Sequence, residues 1–333
     1  MNILITGASG FIGGFLVEEA LRRNYQVWAA IRHSSNRSRL TDPRIHFIEL
    51  DYANKEHLDQ QMKEQQAKTG AWDFVIHNAG VTKTIDKRQF DEVNAMNTSR
   101  LLQSLSVCPP RKFLLMSSLS SYGKGDEDTF QPIRLQDNPS PDTAYGKSKL
   151  KAERFVRTQT NFPYIILRPT GVYGPGEKDY FLAVKSVKQG LNVAAGIKPQ
   201  RITFIYVRDL VKAVFLALEK KEIVNKAYFV ADGDVWYDYE YTHLIQQLLG
   251  RKRVINLRVP LSLVHVGCLL SEGWGLLTHQ SMTLNTDKYH ILSQRNWICD
   301  VEPIQKDLGF VADYPLQRGL EESIAWYKQK GWL

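Results

Sequence analysis

The chain has 333 residues, of which 43% are hydrophobic and 23% charged, and its formal net charge is +8. This length suits one large α/β domain or two smaller ones, and the composition argues against disorder. The basic residues are scattered and not clustered with aromatic ones, so we expect no nucleic-acid partner. The positive surplus is either a solvated surface or a means of holding an anionic cofactor or substrate.

Short apolar segments alternate with longer amphipathic ones through the first half of the chain, as in a parallel sheet flanked by helices. The predicted strands are residues 3–6, 27–31, 46–50, 74–77, 113–117 and 164–168, and the helices between them are 11–23, 55–68, 90–107 and 144–160. After about Gly171 the alternation loosens, with helices at 209–219 and 239–249. The pattern predicts an α/β fold, a doubly wound parallel sheet of the Rossmann type with a smaller C-terminal lobe.

The apolar segments are too short for a membrane span, which needs roughly 18 consecutive apolar residues. The run 259–270 is apolar but interrupted, and we predict a packed helix there, with peripheral membrane contact as the lesser alternative. The chain opens directly on an apolar strand, so we expect no signal peptide. The cysteines are widely spaced, which favours core positions and a reducing, cytoplasmic location; they are Cys108, Cys268 and Cys299.

A glycine-rich turn follows the first predicted strand and precedes a predicted helix. Gly7 permits a tight turn, Gly10 lets the backbone approach a pyrophosphate, and Gly13 lets helix and strand pack closely. The start of the helix offers free N–H groups and a positive dipole end to phosphates. This position directly after an apolar strand predicts a dinucleotide site, with a purely structural turn as the alternative. The predicted contacts are Gly7, Ser9, Gly10, Phe11, Ile12 and Gly13.

The tip of the second predicted strand indicates which dinucleotide would bind. An acidic residue there would hold the ribose diol of NAD, but the segment 27–34 has no acid. Arg32, helped by Ser34, Ser35 and Arg37, could instead pair with the 2′-phosphate of NADP. We therefore predict NADP in preference to NAD, the alternative being a solvated arginine-rich loop.

A candidate acid/base group lies in the fourth predicted helix. Tyr145 and Lys149 are four residues apart and so share one helix face. A tyrosine hydroxyl has a pKa near 10, which a neighbouring ammonium and a positive nicotinamide would lower toward the working range. Ser118 follows an apolar strand and would emerge at the carboxyl end of the sheet, where its hydroxyl could contact a substrate oxygen.

Further motifs accompany this group in a fixed order along the chain. They are Phe74–Gly80 (FVIHNAG), Val93-Asn94, Ser117-Ser118 with Tyr122-Gly123, Leu167–Gly176 (LRPTGVYGPG), Tyr206–Leu210 (YVRDL), Trp297–Asp300 and Leu308-Gly309-Phe310. With these motifs the sequence resembles the extended short-chain dehydrogenases/reductases, the NAD-dependent epimerase/dehydratase family. The resemblance covers nearly the whole chain.

The resemblance implies roles for individual residues. Tyr145 would be the acid/base, Lys149 its electrostatic partner and a ribose ligand, and Ser118 the hydroxyl that orients the substrate. Asp51 would approach the adenine. The other cofactor contacts that it implies are Tyr52, Ala79, Gly80, Asn94, Pro169 and Val172. It also implies an NAD(P)-binding Rossmann domain at 1–170, an interleaved substrate-binding lobe at 171–333, and a homodimer paired through the helices 90–107 and 144–160.

Several reactions share this scaffold, and some residues distinguish them. The family's dehydratases carry two acids after the serine, where this chain has Leu119 and Ser120, so we do not expect dehydration. Its nucleotide-sugar epimerases usually carry an asparagine at the position of Gly171 and an arginine at that of Ile202, although Arg201 is one position away. The segment around Gly171 is more similar to the 3β-hydroxysteroid dehydrogenase and dihydroflavonol reductase branch.

The leading prediction is an NAD(P)-dependent epimerase/oxidoreductase that acts at a secondary alcohol or ketone of a nucleotide-sugar or related substrate. One alternative is an NADP-dependent reductase of a bulky apolar substrate, and a non-catalytic NAD(P)H sensor is the alternative from another class. Residues 177–180 are candidate substrate contacts, whereas Lys83 and Lys87 are expected to be solvated. The eight histidines lack paired ligand spacing, so we predict no catalytic metal.

Overall fold

The computed structural model describes residues 1–278, 282 and 284–333. The strands are β1 (Asn2–Thr6), β2 (Gln26–Ala30), β3 (Ile45–Ile48), β4 (Phe74–His77), β5 (Lys112–Met116), β6 (Tyr164–Pro169), β7 (Gly171–Tyr173), β8 (Leu191–Ala195), β9 (Arg201–Ile202), β10 (Phe204–Tyr206), β11 (Lys226–Val230), β12 (Trp236–Tyr237), β13 (Ile255–Val259) and β14 (Asn296–Trp297). The helices are α1 (Phe11–Arg22), α2 (Lys55–Thr69), α3 (Arg88–Phe90), α4 (Asn97–Leu105), α5 (Ala144–Gln159), α6 (Lys178–Lys188), α7 (Val207–Glu219), α8 (Asp238–Leu248), α9 (Leu261–Thr278), α10 (Thr286–Ser293), α11 (Glu302–Leu308) and α12 (Leu316–Gln329). A π-helical segment, Asp91–Met96, joins α3 to α4.

A seven-stranded parallel sheet in the described chain has the order β11-β6-β5-β4-β1-β2-β3. This sheet confirms the predicted Rossmann fold. The chain runs from β1 outward to β3 and returns to β4 on the other side of β1. The strand order therefore reverses beside β1, and in sheets of this kind ligands bind outside the carboxyl ends of the strands at such a point.

Both faces of the sheet are covered by apolar layers, which is why its strands are apolar rather than alternating. Ile3 and Ile5 of β1 point into one layer and Leu4 into the other, and all three are fully buried. Helices α1 and α7 cover one face, and α2, α4 and α5 cover the other. The two layers hold the strands in place, and with them the loops that follow the carboxyl ends of the strands.

The chain after Gly171 builds smaller sheets and one further strand of the large sheet. The small sheets pair β7 with β10, β8 with β13, and β9 with β12 and β14. An aromatic core holds this region together, and it includes Tyr173, Phe204, Tyr206 and Tyr241. Strand β11 pairs with β6, so residues beyond the predicted boundary at 170 share the first sheet. The division into two domains stays a prediction.

Helix α9 differs from its prediction. The predicted helix is present from Leu261 onward, but it is packed on one face only, because Cys268 is buried whereas Leu263 is 61% and Leu270 71% exposed. Apolarity indicates burial only if a second layer covers the helix, and no described element covers this face. Among the described residues, no helix is both long and apolar enough to cross a membrane. The cysteines are as predicted, all three being buried free thiols.

Candidate active site

One cleft of about 1000 Å³ opens at the carboxyl ends of β1, β4, β5 and β6, between the sheet and the smaller sheets. Most of the predicted site residues line it. They are Gly7, Ser9, Gly10, Phe11, Ile12, Arg32, Tyr52, Ala79, Gly80, Ser118, Tyr145, Lys149, Pro169 and Val172. Gly13, Asp51 and Asn94 do not line the cleft. The fold thus brings the predicted catalytic and cofactor residues to a single place.

The glycine turn leaves no room for side chains. Gly7 has φ +66°, and a Cβ there would lie 2.8 Å from the backbone of Ala79. A Cβ on Gly13 would lie 2.1 Å from the carbonyl oxygen of Gly7. Gly10 precedes the first turn of α1, in which no acidic residue opposes an anion. This bare backbone at a helix start fits a pyrophosphate.

Two predicted cofactor residues engage other parts of the chain. The carboxylate of Asp51 accepts hydrogen bonds from the backbone N–H groups of Ala53 and Asn54 and contacts the His57 ring at 3.0 Å. Asn94 is buried, and its side-chain amide bonds both backbone groups of Val81, at 2.7 and 3.0 Å. Asn94 therefore positions the loop after β4 from behind.

The start of α5 presents Tyr145 to the cleft. Thr143 caps the helix by accepting a hydrogen bond from the Gly146 N–H at 2.9 Å, and Asp287 of α10 accepts from the Ala144 N–H at 3.0 Å. Burial raises the pKa of Tyr145 to about 12, and the neighbouring Ser118 hydroxyl opposes the rise. The chain alone therefore keeps this phenol protonated at neutral pH.

Lys149 lies one helical turn further along α5. Its Nζ donates to the carbonyl oxygen of Met116 at 2.9 Å and lies 5.9 Å from the centroid of the Tyr145 ring. Burial lowers the pKa of Lys149 to about 8, and the carboxylate of Glu153 opposes that shift. The ammonium form still predominates at pH 7 and places a positive charge beside Tyr145.

A buried ion pair that was not predicted from the sequence lies behind the catalytic group. Glu153 and Arg168 are each 2% exposed and bond through two contacts, of 2.9 and 2.6 Å. Glu153 also accepts from the hydroxyls of Ser117 and Ser121 at 2.5 and 3.0 Å. This carboxylate thus joins α5, β6 and the loop that carries Ser118. Tyr145, Lys149 and Glu153 recur every four residues, a spacing that could have revealed it.

The part of the cleft beyond the glycine turn and the Ser118–Tyr145–Lys149 group, called here the substrate half, is mainly apolar and aromatic. Its larger apolar side chains are Leu119, Val172, Tyr180, Ile202, Phe204, Tyr241, Ile291, Leu292 and Trp297. Its charged side chains at the described positions are Glu177, Asp179 and Lys288. Glu177 caps α6, and Asp179 forms ion pairs with Lys288 at 3.7 Å and with Lys83. Of the candidates 177–180, only Lys178 lies outside the lining.

Lys83 and Lys87, which were expected to be solvated, both form ion pairs, although Lys87 is also exposed. Lys83 forms its ion pair with Asp179 at the cleft, and Lys87 pairs with Glu272 of α9 at 3.1 Å. Arg201, the candidate for holding a diphosphate, is turned aside. Its guanidinium stacks on the rings of Phe130 and Tyr237, with its carbon 4.6 and 5.3 Å from their centroids, and it does not line the cleft.

A Rossmann sheet, a bare glycine turn and a Ser–Tyr–Lys group in one cleft define a nicotinamide-dinucleotide-dependent enzyme of the extended short-chain dehydrogenase/reductase type. The chain matches the NAD dependent epimerase/dehydratase family over residues 3–231 and belongs to that family.

Known relatives span more than one activity. The chain is 26% identical over 259 residues to a UDP-glucose 4-epimerase of Vibrio cholerae, covering 74% of each chain. It is 25% identical over 347 residues to a 3-beta-hydroxysteroid dehydrogenase of Mycolicibacterium neoaurum, covering 98% of this chain and 91% of the relative. The crystal structure of UDP-glucose 4-epimerase from Thermotoga maritima with UDP-glucose superposes with a TM-score of 0.78 at 20% identity, over 99% of both chains. That likeness shows the fold.

Proposed function

We propose that this enzyme transfers a hydride between NADP and a secondary alcohol or ketone of a bulky apolar substrate that carries no diphosphate. The observation that carries this proposal is the substrate half of the cleft, where aromatic and aliphatic side chains predominate. Among its described lining residues it has no arginine that could hold a diphosphate, and the Glu177 carboxylate would disfavour an anion. Lys288, its lysine, is already paired with Asp179.

The chemistry divides between the cofactor and the chain. A bound NADP nicotinamide accepts or supplies the hydride. Tyr145 Oη takes the hydroxyl proton when an alcohol is oxidised and returns it when a ketone is reduced. Ser118 holds the substrate oxygen, and the positive charge of Lys149 favours the tyrosinate form. Release of the ketone makes the enzyme a dehydrogenase or reductase, whereas its re-reduction from the opposite face would make it an epimerase.

A thermal-shift titration tests the substrate class. With NADP⁺ present, UDP, GDP, dTDP and their sugars are added in turn, followed by bulky apolar alcohols such as 3β-hydroxysteroids. A ligand that binds only the folded chain raises its melting temperature with concentration. We expect the apolar alcohols to raise it and the nucleotides to leave it unchanged. Stabilisation by one nucleotide would instead support the second candidate, a nucleotide-sugar epimerase, which the relation to UDP-glucose 4-epimerase favours.

The preference for NADP rests on Arg32. Its side chain is exposed at the cleft, beside Ser35, whose Oγ accepts from the Arg32 N–H at 2.9 Å. We expect Arg32→Ala to weaken NADP⁺ binding about tenfold and NAD⁺ binding much less, because a charge-assisted contact to the 2′-phosphate is lost. Fluorescence titration measures both affinities. Arg44→Ala, which removes an exposed guanidinium that pairs with Asp42 at 2.7 Å and has no predicted cofactor role, is the control. Equal weakening of the two dinucleotides by Arg32→Ala would show that the preference is wrong.

Three further expectations from the sequence stay proposals. They are a homodimer formed through the helices at 90–107 and 144–160, a cytoplasmic location, and the alternative of a non-catalytic NAD(P)H sensor. A sensor would bind NADPH but convert none of the alcohols that stabilise the protein, so turnover of one of them rejects it.

A further inference from the structure

An apolar surface lies outside the active site on helix α9. Its exposed side chains, called here the α9 stripe, are Leu263, Val266, Leu269, Leu270, Trp274 and Leu277. Five of them, all but Leu269, recur at intervals of three or four residues and so share one narrow face of the helix. Over this length the face extends about 20 Å. A surface helix normally turns such a face toward the core, whereas α9 turns it toward solvent.

The opposite face of α9 is anchored, so the orientation of the stripe is defined by contacts. Cys268 is fully buried, and the His265 ring stacks on Tyr289 of α10 at 4.5 Å. Glu272 accepts a hydrogen bond from the Thr286 N–H at 3.0 Å and pairs with Lys87 at 3.1 Å. Rotating the stripe inward would break all of these contacts.

The ribbon of β8 and β13 extends the apolar surface. Leu191 lies opposite Ile255 and Val193 opposite Leu257, and all four side chains are exposed. Pro260 alone separates the end of β13 from the start of α9. The apolar residues of the ribbon are therefore followed directly in the chain by those of the helix.

Positive charge flanks the β8–β13 ribbon, whereas α9 itself has no Lys or Arg, and its one charged residue, Glu272, lies on the anchored face. The segments 181–200 and 249–271 contain no Asp or Glu, and their basic residues are Lys185, Lys188, Lys198, Arg251, Lys252, Arg253 and Arg258. Arg258 pairs with Asp238 at 2.9 Å. The other six form no ion pair within the part of the chain that the structure describes. All six are exposed.

We propose that the α9 stripe and the β8–β13 ribbon dock on the surface of a bilayer that contains anionic phospholipids. The apolar side chains enter the boundary between headgroups and acyl chains, and the basic residues face the lipid phosphates. A second copy of the chain fits this surface less well, because a symmetric contact would bring two basic rims together. The proposal is independent of the identity of the substrate.

Vesicle flotation with the full chain tests the proposal. We expect the chain to float with phosphatidylcholine vesicles that contain about 30% phosphatidylglycerol and to float little with pure phosphatidylcholine. The bound fraction should decrease as the salt concentration is raised. Leu270→Glu should lower the partition coefficient about tenfold or more, because it puts a charge into the apolar contact. Val311→Glu changes a residue that is 65% exposed elsewhere and is the matched control.

A second variant keeps the test decisive if Leu270→Glu lowers the melting temperature. Arg251→Glu with Lys252→Glu reverses exposed charges, and it should abolish the preference for anionic vesicles while Lys68→Glu in α2 leaves it intact. Binding that neither variant weakens would overturn the proposal, as would absence of binding to anionic vesicles. Sedimentation velocity tests whether a second copy of the chain occupies the surface. If the wild type is a dimer that Leu270→Glu dissociates, and neither protein binds vesicles, the surface serves self-association and the proposal is overturned.

Discussion

At the scale of the residue, the chemistry depends on where Tyr145 loses and regains its proton. Burial raises the pKa of this phenol to about 12, so the chain alone holds it as a proton donor. That state suits ketone reduction directly. Alcohol oxidation needs the tyrosinate, which the charges of Lys149 and of an oxidised nicotinamide would favour. Oxidation should therefore gain more from rising pH than reduction does.

Replacing Tyr145 with Phe removes the transferable proton and keeps the ring. We expect kcat to fall by about 10²–10⁴-fold in both directions, since a positioned acid/base contributes about that much. Steady-state assays that follow the nicotinamide absorbance measure the loss, and cofactor affinity and melting temperature should stay near wild type. Tyr164→Phe, outside the cleft lining, is the control. Turnover at the wild-type rate in Tyr145→Phe would reject the mechanism.

At the scale of the element, helix α1 and its glycine turn act as one unit. Two consecutive glycines in this helix have different surroundings. A Cβ at Gly13 would lie 2.1 Å from the Gly7 carbonyl oxygen, whereas one at Gly14 would lie 3.5 Å from the side chain of Arg39. The first glycine is required for strand and helix to approach, and the second is not.

Alanine at each of these two glycines separates the cost of the close approach from ordinary helix propensity. Gly13→Ala should push α1 away from the turn, lower the melting temperature and weaken dinucleotide binding by about tenfold or more. Gly14→Ala should be neutral or stabilise by up to about 1 kcal/mol, since alanine is the better helix former. Thermal melts and calorimetric titration check both variants. Equal behaviour of the two would contradict the packing described for the turn.

Some parts of the site can be predicted from the sequence, and others cannot. Gly7, Tyr145 and Lys149 are found because their spacing is local, within one turn or one helix. The pairing of Glu153 with Arg168 depends on α5 lying against β6, which no short motif encodes. The exposure of α9 depends likewise on a missing covering layer. Local periodicity predicts a helix's apolar face but not the element that meets it.

At the scale of the whole molecule, the alternation of strands and helices predicts β1 to β6 and the fold class. Strand β11 was not predicted, because it follows the region where alternation loosens, and its assignment comes from pairing with β6. The small sheets were not predicted for the same reason, and several of their strands have only two or three residues. The pairing of β7 with β10, for example, lies in the aromatic core around Tyr206, a long-range contact that their own short sequences do not encode.

The free energy of unfolding should depend on pH because of the buried lysine of the active site. Burial lowers the pKa of Lys149 from 10.5 to about 8 in the folded chain. Between those values the unfolded chain binds more protons, so the free energy of unfolding contains a term that rises with pH from about 8 to 10.5. Below pH 8 the folded chain bears the full cost of a buried ammonium.

Lys149→Met removes that cost while filling the same space. We expect it to raise the free energy of unfolding by about 2 kcal/mol at pH 7, the lost contact to the Met116 carbonyl offsetting part of the gain. The advantage should disappear as pH approaches 10, and activity should be lost at every pH. Urea unfolding followed by circular dichroism at several pH values measures this, with Lys147→Met, exposed on the same helix, as control. Destabilisation at every pH would instead mean that the fold favours the ammonium, with a pKa that burial does not lower.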